Sequence, residues 1–311
     1  GFDLGIGLLY PFVPAKADRD AMMNTVAPVW DGNETWLVLG GAGLLVAFPL
    51  AYSVVLTAVY LPIVFMLLGL IFRGVAFEFR FKATDARRHW WDKAFIGGSA
   101  VAAFAQGVVL GSFIQGIKVV NGAYSGGALD FLTPFSLFTG LGLLAAYALL
   151  GSTWLILKTE GPLQARMRML ARPLTWVLLA VIGVISLWTP LANPYIAERW
   201  FSLPNIFWFA PVPVLVALTA WQLLRVLRDE PHGGPFVLTL CLIFLGYTGM
   251  GISIWPNVVP PTISIWAAAG PPQSLGFTLV GALLVIPMIL AYTAWGYYVF
   301  RGKVDPSHGY H

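Results

Sequence analysis

Charge is scarce in this chain: of its 311 residues only 10% are Asp, Glu, Lys or Arg, against 58% hydrophobic. A soluble domain needs about a quarter charged residues to cover its surface, so that class is excluded. Cysteine is scarcer still. The single Cys241 lies in an apolar run, can make no internal disulfide, and packs as a small hydrophobe. The four histidines, His89, His232, His308 and His311, all fall outside the long apolar runs, where a membrane haem would need its axial ligands. Met66, Met250 and Met288 do lie in such runs, but lone methionines on apolar helices are gap-fillers. No glycine loop followed by Lys and Ser or Thr is present to cradle a phosphate; Gly40-Gly41-Ala42-Gly43 runs inside an apolar segment, where small residues mark close helix packing. The chain alone therefore offers neither a complete redox centre nor an ATPase, and no metal site or catalytic residue is assigned to it. No low-complexity linker or long loop interrupts it, so 1–311 reads as one integral membrane domain.

What is abundant is apolar sequence in long stretches. Eight runs can cross the roughly 30 Å hydrocarbon core, at about 35–52, 54–76, 94–116, 131–157, 173–191, 204–227, 235–255 and 275–300. Residues 1–13 read as the tail of one more, whose start would precede Gly1. The fold class is thus all-α, a polytopic transmembrane bundle. Threading the runs through a bilayer puts sixteen of the eighteen Lys and Arg residues on one side: fifteen in the segment with Lys16 and Arg19, in loops 78–93, 158–172 and 225–233 and in the tail, and Arg73 at the inner end of the run 54–76. The opposite loops hold only Lys118 and Arg199, which predicts a cytoplasmic carboxyl terminus by the positive-inside bias. The net charge of +4 is spread over these loops, which argues against nucleic-acid binding. Trp188, Trp200, Trp208, Trp255 and Trp266 fall near the outer ends of the runs and Trp90 and Trp91 in an inner loop, where aromatic anchors sit.

A charged side chain at the centre of a span costs about 2.5–3.5 kcal/mol, so each one near membrane depth is a candidate. Asp3 lies in the apolar run from Phe2 to Phe12, either as a hydrogen-bonded neutral acid or as a functional carboxylate. Asp31 and Glu34 open the run Trp30-Asp31-Gly32-Asn33-Glu34-Thr35-Trp36. Their spacing suits a capping box, with Asp31 as N-cap and Glu34 at the third helical position, and equally a pair of carboxylates that collects protons. Arg73 either snorkels to the interface or supplies a fixed charge to a buried carboxylate. Glu78 either pairs with Lys82 one turn on or stands in the same proton route.

The stretches Gly1-Phe2-Asp3-Leu4-Gly5-Ile6-Gly7, Asn24 to Leu37 with its Trp-Asp-Gly-Asn core, Phe72-Arg73-Gly74-Val75-Ala76-Phe77-Glu78, and Tyr292 to Val304 resemble subunit II of the cytochrome bd family of bacterial quinol oxidases. The resemblance runs in order over essentially the whole chain. The continuation Glu34-Thr35-Trp36-Leu37-Val38-Leu39-Gly40-Gly41 and the stretch Glu78-Phe79-Arg80-Phe81-Lys82 are most similar to the cyanide-insensitive branch.

The resemblance implies a nine-helix fold with two four-helix bundles, in the bacterial inner membrane. It implies a haem-bearing partner, subunit I, that carries haems b and d, or b alone, and the quinol-oxidising site, with no haem in this chain. It further implies reduction of O2 to water with protons taken from the cytoplasm. A quinone as substrate or structural ligand and a small accessory subunit belong to the same expectation, as does surrounding lipid. Asp31 then matches a proton-path position between the subunits, and Glu78 a position that is Asp in other branches. Trp30, Asn33 and Arg73 match positions around that interface. Asp3 matches the second acid of an Asp-Gly-Phe-Asp motif whose first acid would precede Gly1. The competing reading is a proton-coupled secondary transporter, which buried carboxylates and proline-interrupted helices also suit. No inverted repeat supports it.

Overall fold

The computed structural model describes residues 1–228 and 234–304; His232, His308 and His311 lie outside the described residues. The chain is helical almost throughout, as α1 (Phe2–Leu9), α2 (Lys16–Asn24), α3 (Trp30–Ala47), α4 (Pro49–Ala58), α5 (Tyr60–Lys82), α6 (Asp85–Gln115), α7 (Pro134–Lys158), α8 (Gly161–Ala192), α9 (Pro194–Phe201), α10 (Asn205–Phe209), α11 (Pro211–Val226), α12 (Gly234–Ile254), α13 (Ile265–Ala268) and α14 (Pro272–Val299). Two small antiparallel hairpins, β1 (Val119–Val120) with β2 (Ala123–Tyr124) and β3 (Asn257–Val259) with β4 (Ile263–Ser264), close one end of the bundle. The first turns at Asn121-Gly122, both at positive φ, as the tight primed hairpin turns require.

Among the described residues seven helices are long and apolar enough to cross a membrane: α5, α6, α7, α8, α10 with α11, α12 and α14. The all-α polytopic reading holds. The 18 residues of α3 reach about 27 Å, but with its polar first turn it is not among these seven, so the expected run 35–52 does not give a span of that length and apolarity. Its bounds differ from the expected 35–52. The helix begins at Trp30 and stops at Ala47, because Pro49 bars Phe48 from helical backbone; Gly270 N–H then donates to Ala47 O. Helix α4 is a separate element of ten residues that packs Ala51, Val54 and Ala58 against Ile117, Phe131, Val259, Ile263 and Ala268 under the hairpins. The second expected run therefore begins at Tyr60 rather than 54.

Loops 78–93 and 158–172 are also shorter than expected. Only Ala83 and Thr84 separate α5 from α6, and α8 starts at Gly161, so most of the basic residues there ride on helix ends.

Helix α7 is the hub. It packs on α1, α6, α8 and α12, and α8, α11 and α12 complete a closed four-helix ring with it. The other group is α1, α5 and α6, which α3 joins through its first turn. Lipid tails are as apolar as leucine, so helices in a bilayer associate where backbones can approach closely. Two crossings show this. A Cβ on Gly5 would lie 1.9 Å from Tyr147 O, and one on Gly151 2.6 Å from Gly5 C, so α1 and α7 touch backbone to backbone. A Cβ on Gly69 would lie 2.7 Å from Gly98 O, which sets α5 against α6 one turn from Arg73.

In contrast, α3 and α14 bury no residue. They pack on each other and present Leu37, Val38, Leu283, Leu284 and Tyr292 outward. A Cβ on Gly40, Gly41 or Gly43 would meet nothing within 4 Å, so the small-residue stripe expected to mark close packing is unpartnered within this chain. The hydrophobic effect gives no reason to cover such a face in a bilayer, but a stripe of glycines on it leaves room for another helix backbone.

Candidate functional site

Helix α5 carries two arginines seven residues apart, at 73 and 80, and two helical turns place both on one face. That face points into the bundle, and both side chains are fully buried. Each has drawn carboxylates from other helices.

Arg73 donates through Nη2 to Asp3 Oδ2 at 3.0 Å and through Nη1 to Glu34 Oε1. Asp3 is buried on α1, and its Oδ1 accepts from the Gly1 nitrogen at 2.7 Å. Glu34, one turn into α3, is 23% exposed. Three rings surround the guanidinium, with centroids 5.1 Å away for Phe77, 5.7 Å for Trp30 and 5.9 Å for Phe95. Trp30 stacks on Phe77 with planes 4° apart, and Phe95 meets Phe77 edge-on. Cation–π attraction of this kind strengthens where water is excluded. Arg73 therefore does not snorkel; it is the fixed charge for buried carboxylates, in an aromatic cage built by α3, α5 and α6.

Beside this cluster lies a cavity of about 210 Å³ whose polar lining is Asp3, Asn33, Glu34, Gln106 and Tyr147. Tyr147 donates to Gln106 Oε1 at 2.8 Å. Asn33 Oδ1 accepts from Tyr297 at 2.9 Å, which ties α3 to α14, while its buried Nδ2 has no partner.

Asp31 and Glu78 stand apart. The capping box is not formed: α3 is capped by Val29 without a side-chain bond, and Asp31 lies inside the first turn, exposed and in no ion pair among the described residues. The helix starts two residues early, and Trp30 N–H already donates to Val26 O. Glu78 is 69% exposed and lies 3.7 Å from Lys82. Its position, five residues from Arg73, turns it to the outer side of α5. Of the four expected proton-path acids, Asp3 and Glu34 thus meet through Arg73, while Asp31 and Glu78 lie on outward faces.

The second cluster is absent from the sequence-based expectations, which assign Arg80 to a topogenic loop. Arg80 Nε donates to Asp92 Oδ1 and Nη1 to Asp20 Oδ1, both at 2.5 Å. Arg19 Nη1 donates to Asp92 Oδ2 at 3.0 Å, and its Nε to Val13 O at 2.7 Å. Tyr10 donates to Arg19 O and lies under both guanidiniums at 5.6 Å. A usable signal existed: two arginines seven apart on a long apolar helix share a face, so if one needs carboxylate partners the other does as well.

The one described histidine, His89, is exposed at the start of α6.

Comparison with known proteins accounts for the architecture. Residues 1–300 match the family model described as cytochrome bd terminal oxidase subunit II. The chain is 29% identical to cytochrome bd-I ubiquinol oxidase subunit 2 of Escherichia coli K12, over 98% of this chain and 90% of that protein. It is 28% identical to cytochrome bd ubiquinol oxidase subunit 2 of Bacillus subtilis, over 98% and 91% respectively. The bd oxidase structure from Geobacillus thermodenitrificans shares the fold, with a TM-score of 0.73 over 96% of this chain and 92% of that one, at 18% identity. These likenesses disfavour the transporter reading. A multi-pass chain whose buried α5 face gathers carboxylates from other helices, and whose sequence matches over nearly its whole length, belongs to the family of cytochrome bd terminal oxidase subunit II.

Proposed function

We propose that this chain is the haem-free subunit of a bacterial inner-membrane complex that oxidises quinol and reduces O2 to water, and that it supports a haem-bearing subunit I and supplies part of the proton route from the cytoplasm. The haems of the partner supply the electron chemistry; this chain holds and moves protons. One observation carries the reading. The Trp-Asp-Gly-Asn segment begins a helix, α3, that buries nothing within its own chain, yet anchors Glu34 in the Arg73 cluster and leaves Asp31 and the glycine stripe facing outward. That face suits a partner subunit, and Asp31 would then lie between the two.

In this reading Asp31 and Glu78 collect protons from the basic, cytoplasmic side. Asp3 and Glu34 share one guanidinium, beside a polar cavity roomy enough for several water molecules. Trp30 and Asn33 hold the start of α3 against α5 and α14. A quinone as a ligand of this subunit has no segment here that singles it out.

The test begins with the complex purified in mild detergent from its own membrane. A reduced-minus-oxidised spectrum should show haem bands that travel with a second hydrophobic chain. Asp31→Asn should leave that assembled, coloured complex but slow quinol oxidation, whereas wild-type turnover would remove Asp31 from the route.

A further inference from the structure

The basic end of the bundle holds a second cavity, of about 410 Å³, between α8 and the end of α11. It is lined by Arg168, Met169, Arg172, Leu227 and Arg228. Three guanidiniums converge there. Among the described residues Arg168, Arg172 and Arg228 meet no carboxylate, as is also true of Arg87, Arg166, Arg199, Arg225 and Arg301, but these three line one cavity together. The Nε of Arg168 is buried without a hydrogen-bond partner. Leu227 is buried beneath the site, and Met169 lies exposed at its edge.

The surroundings point to the ligand. Trp176, exposed, stands one turn beyond Arg172 on the same face of α8, toward the membrane interior. Trp221, also exposed, stands two turns before Arg228 on α11, likewise deeper, and Arg225 caps its ring at 5.7 Å. Below them Val177, Leu218, Leu215 and Val214 continue the outward apolar faces of the two helices. Arginines at the headgroup level, tryptophans at the interface and an open apolar track beneath them match a phospholipid from head to tail. Planar guanidiniums grip phosphate oxygens in pairs, which suits them to such a headgroup better than lysines.

We propose that this cavity binds the phosphate headgroup of an anionic phospholipid, with its acyl chains laid along Trp176 and Trp221. The proposal rests on the chain's place in a bilayer and is independent of the proton route.

The test uses the intact complex, delipidated in detergent, with phosphatidylglycerol or phosphatidylcholine added back and retained lipid counted by native mass spectrometry. Wild type should hold one phosphatidylglycerol that the variant Arg168→Gln/Arg172→Gln/Arg228→Gln does not, with no such difference for phosphatidylcholine. Each arginine removed should weaken retention about fivefold, the equivalent of about one charge contact at a membrane surface. The haem spectrum reports assembly, and if the triple variant fails to assemble, Arg172→Gln alone provides the fivefold readout. Equal phosphatidylglycerol retention in wild type and variant overturns the proposal. Displacement of the lipid by inorganic phosphate overturns the lipid assignment in favour of a soluble anion. Lipid bound only after Asp229→Asn/Glu230→Gln would show that the chain's own neighbouring acids satisfy the arginines, and overturns it as well.

Discussion

Arg73 and Arg80 occupy the same face of α5, both fully buried, each bonded to two carboxylates and each set against aromatic rings. They differ in what completes the set. Around Arg80 two further cations join, Arg19 on Asp92 and Lys16 on Asp20 at 3.8 Å, so three cationic side chains meet two acidic ones. Around Arg73 the side chains are one guanidinium and two carboxylates, and a polar cavity adjoins them. The Arg80 network, in which each acid meets two cations, ties α2 to α5 and α6. Around Arg73 the two carboxylates instead share one guanidinium, beside a polar cavity with room for water. The same residue type on the same helix face thus stands in two different settings, set by the partners that the other helices bring to it.

The largest expected effect comes from breaking the Arg80 network. Arg80→Met strands Asp20 and Asp92 without their buried cation and should cost about 3–5 kcal/mol, read as a lower unfolding temperature and a loss of assembled complex. Arg73→Met should cost a similar amount, but Arg73→Met/Asp3→Asn/Glu34→Gln, which removes every side-chain charge of that cluster, should recover assembly while turnover stays low. Recovery of both would reduce the Arg73 cluster to an anchor like its neighbour. Next comes the crossing that seats Arg73. Gly69→Val puts side-chain atoms where even a Cβ would lie 2.7 Å from Gly98 O, and should cost about 1–3 kcal/mol in thermal unfolding.

Smaller still is Glu78→Gln. The pair with Lys82 is solvent-exposed and contributes at most about 0.5 kcal/mol, so stability should hardly move. Quinol oxidation should nevertheless fall if Glu78 collects protons, and Glu78→Asp should be tolerated. Equal activity in both variants would take Glu78 out of the route. The smallest effect belongs to a wholly solvated pair. A hydrogen bond from Lys118 holds the Asp130 carboxyl below its ordinary value. A lowered carboxylate value means the contribution is present above the unfolded value of about 4 and is lost as pH falls through the folded one. Protection of the 116–133 amides, taken relative to their intrinsic exchange rates, should therefore fall only in acid, and Asp130→Asn should abolish that dependence.

Much of this molecule could be read without coordinates. The apolar runs at 131–157, 204–227, 235–255 and 275–300 became helices with nearly those limits, because a bilayer forces backbone hydrogen bonds inward and leaves length and apolarity as the controlling variables. Where expectation and structure part, the cause is local. Pro49 split one expected span into α3 and α4, and charged helix ends at 78–93 and 158–172 passed for loops because polar residues beyond the hydrocarbon carry no apolar signal. Among the candidates, Asp3, Glu34 and Arg73 were visible as costly charges near membrane depth, but their mutual contact was not, since 70 positions separate Asp3 from Arg73. Asp20 and Asp92 escaped notice because each sits in a polar stretch where an acid is cheap.

The sequence by itself determined that this is a membrane-spanning helical chain, which stretches cross, and to which family its motifs belong. Each of these depends on composition along one segment at a time. Only the tertiary structure decided which charges meet. Glycine crossings such as Gly5 with Gly151 and Gly69 with Gly98 set the distances between helices, and those distances determine whether a carboxylate faces a guanidinium, a cavity or the open face of α3.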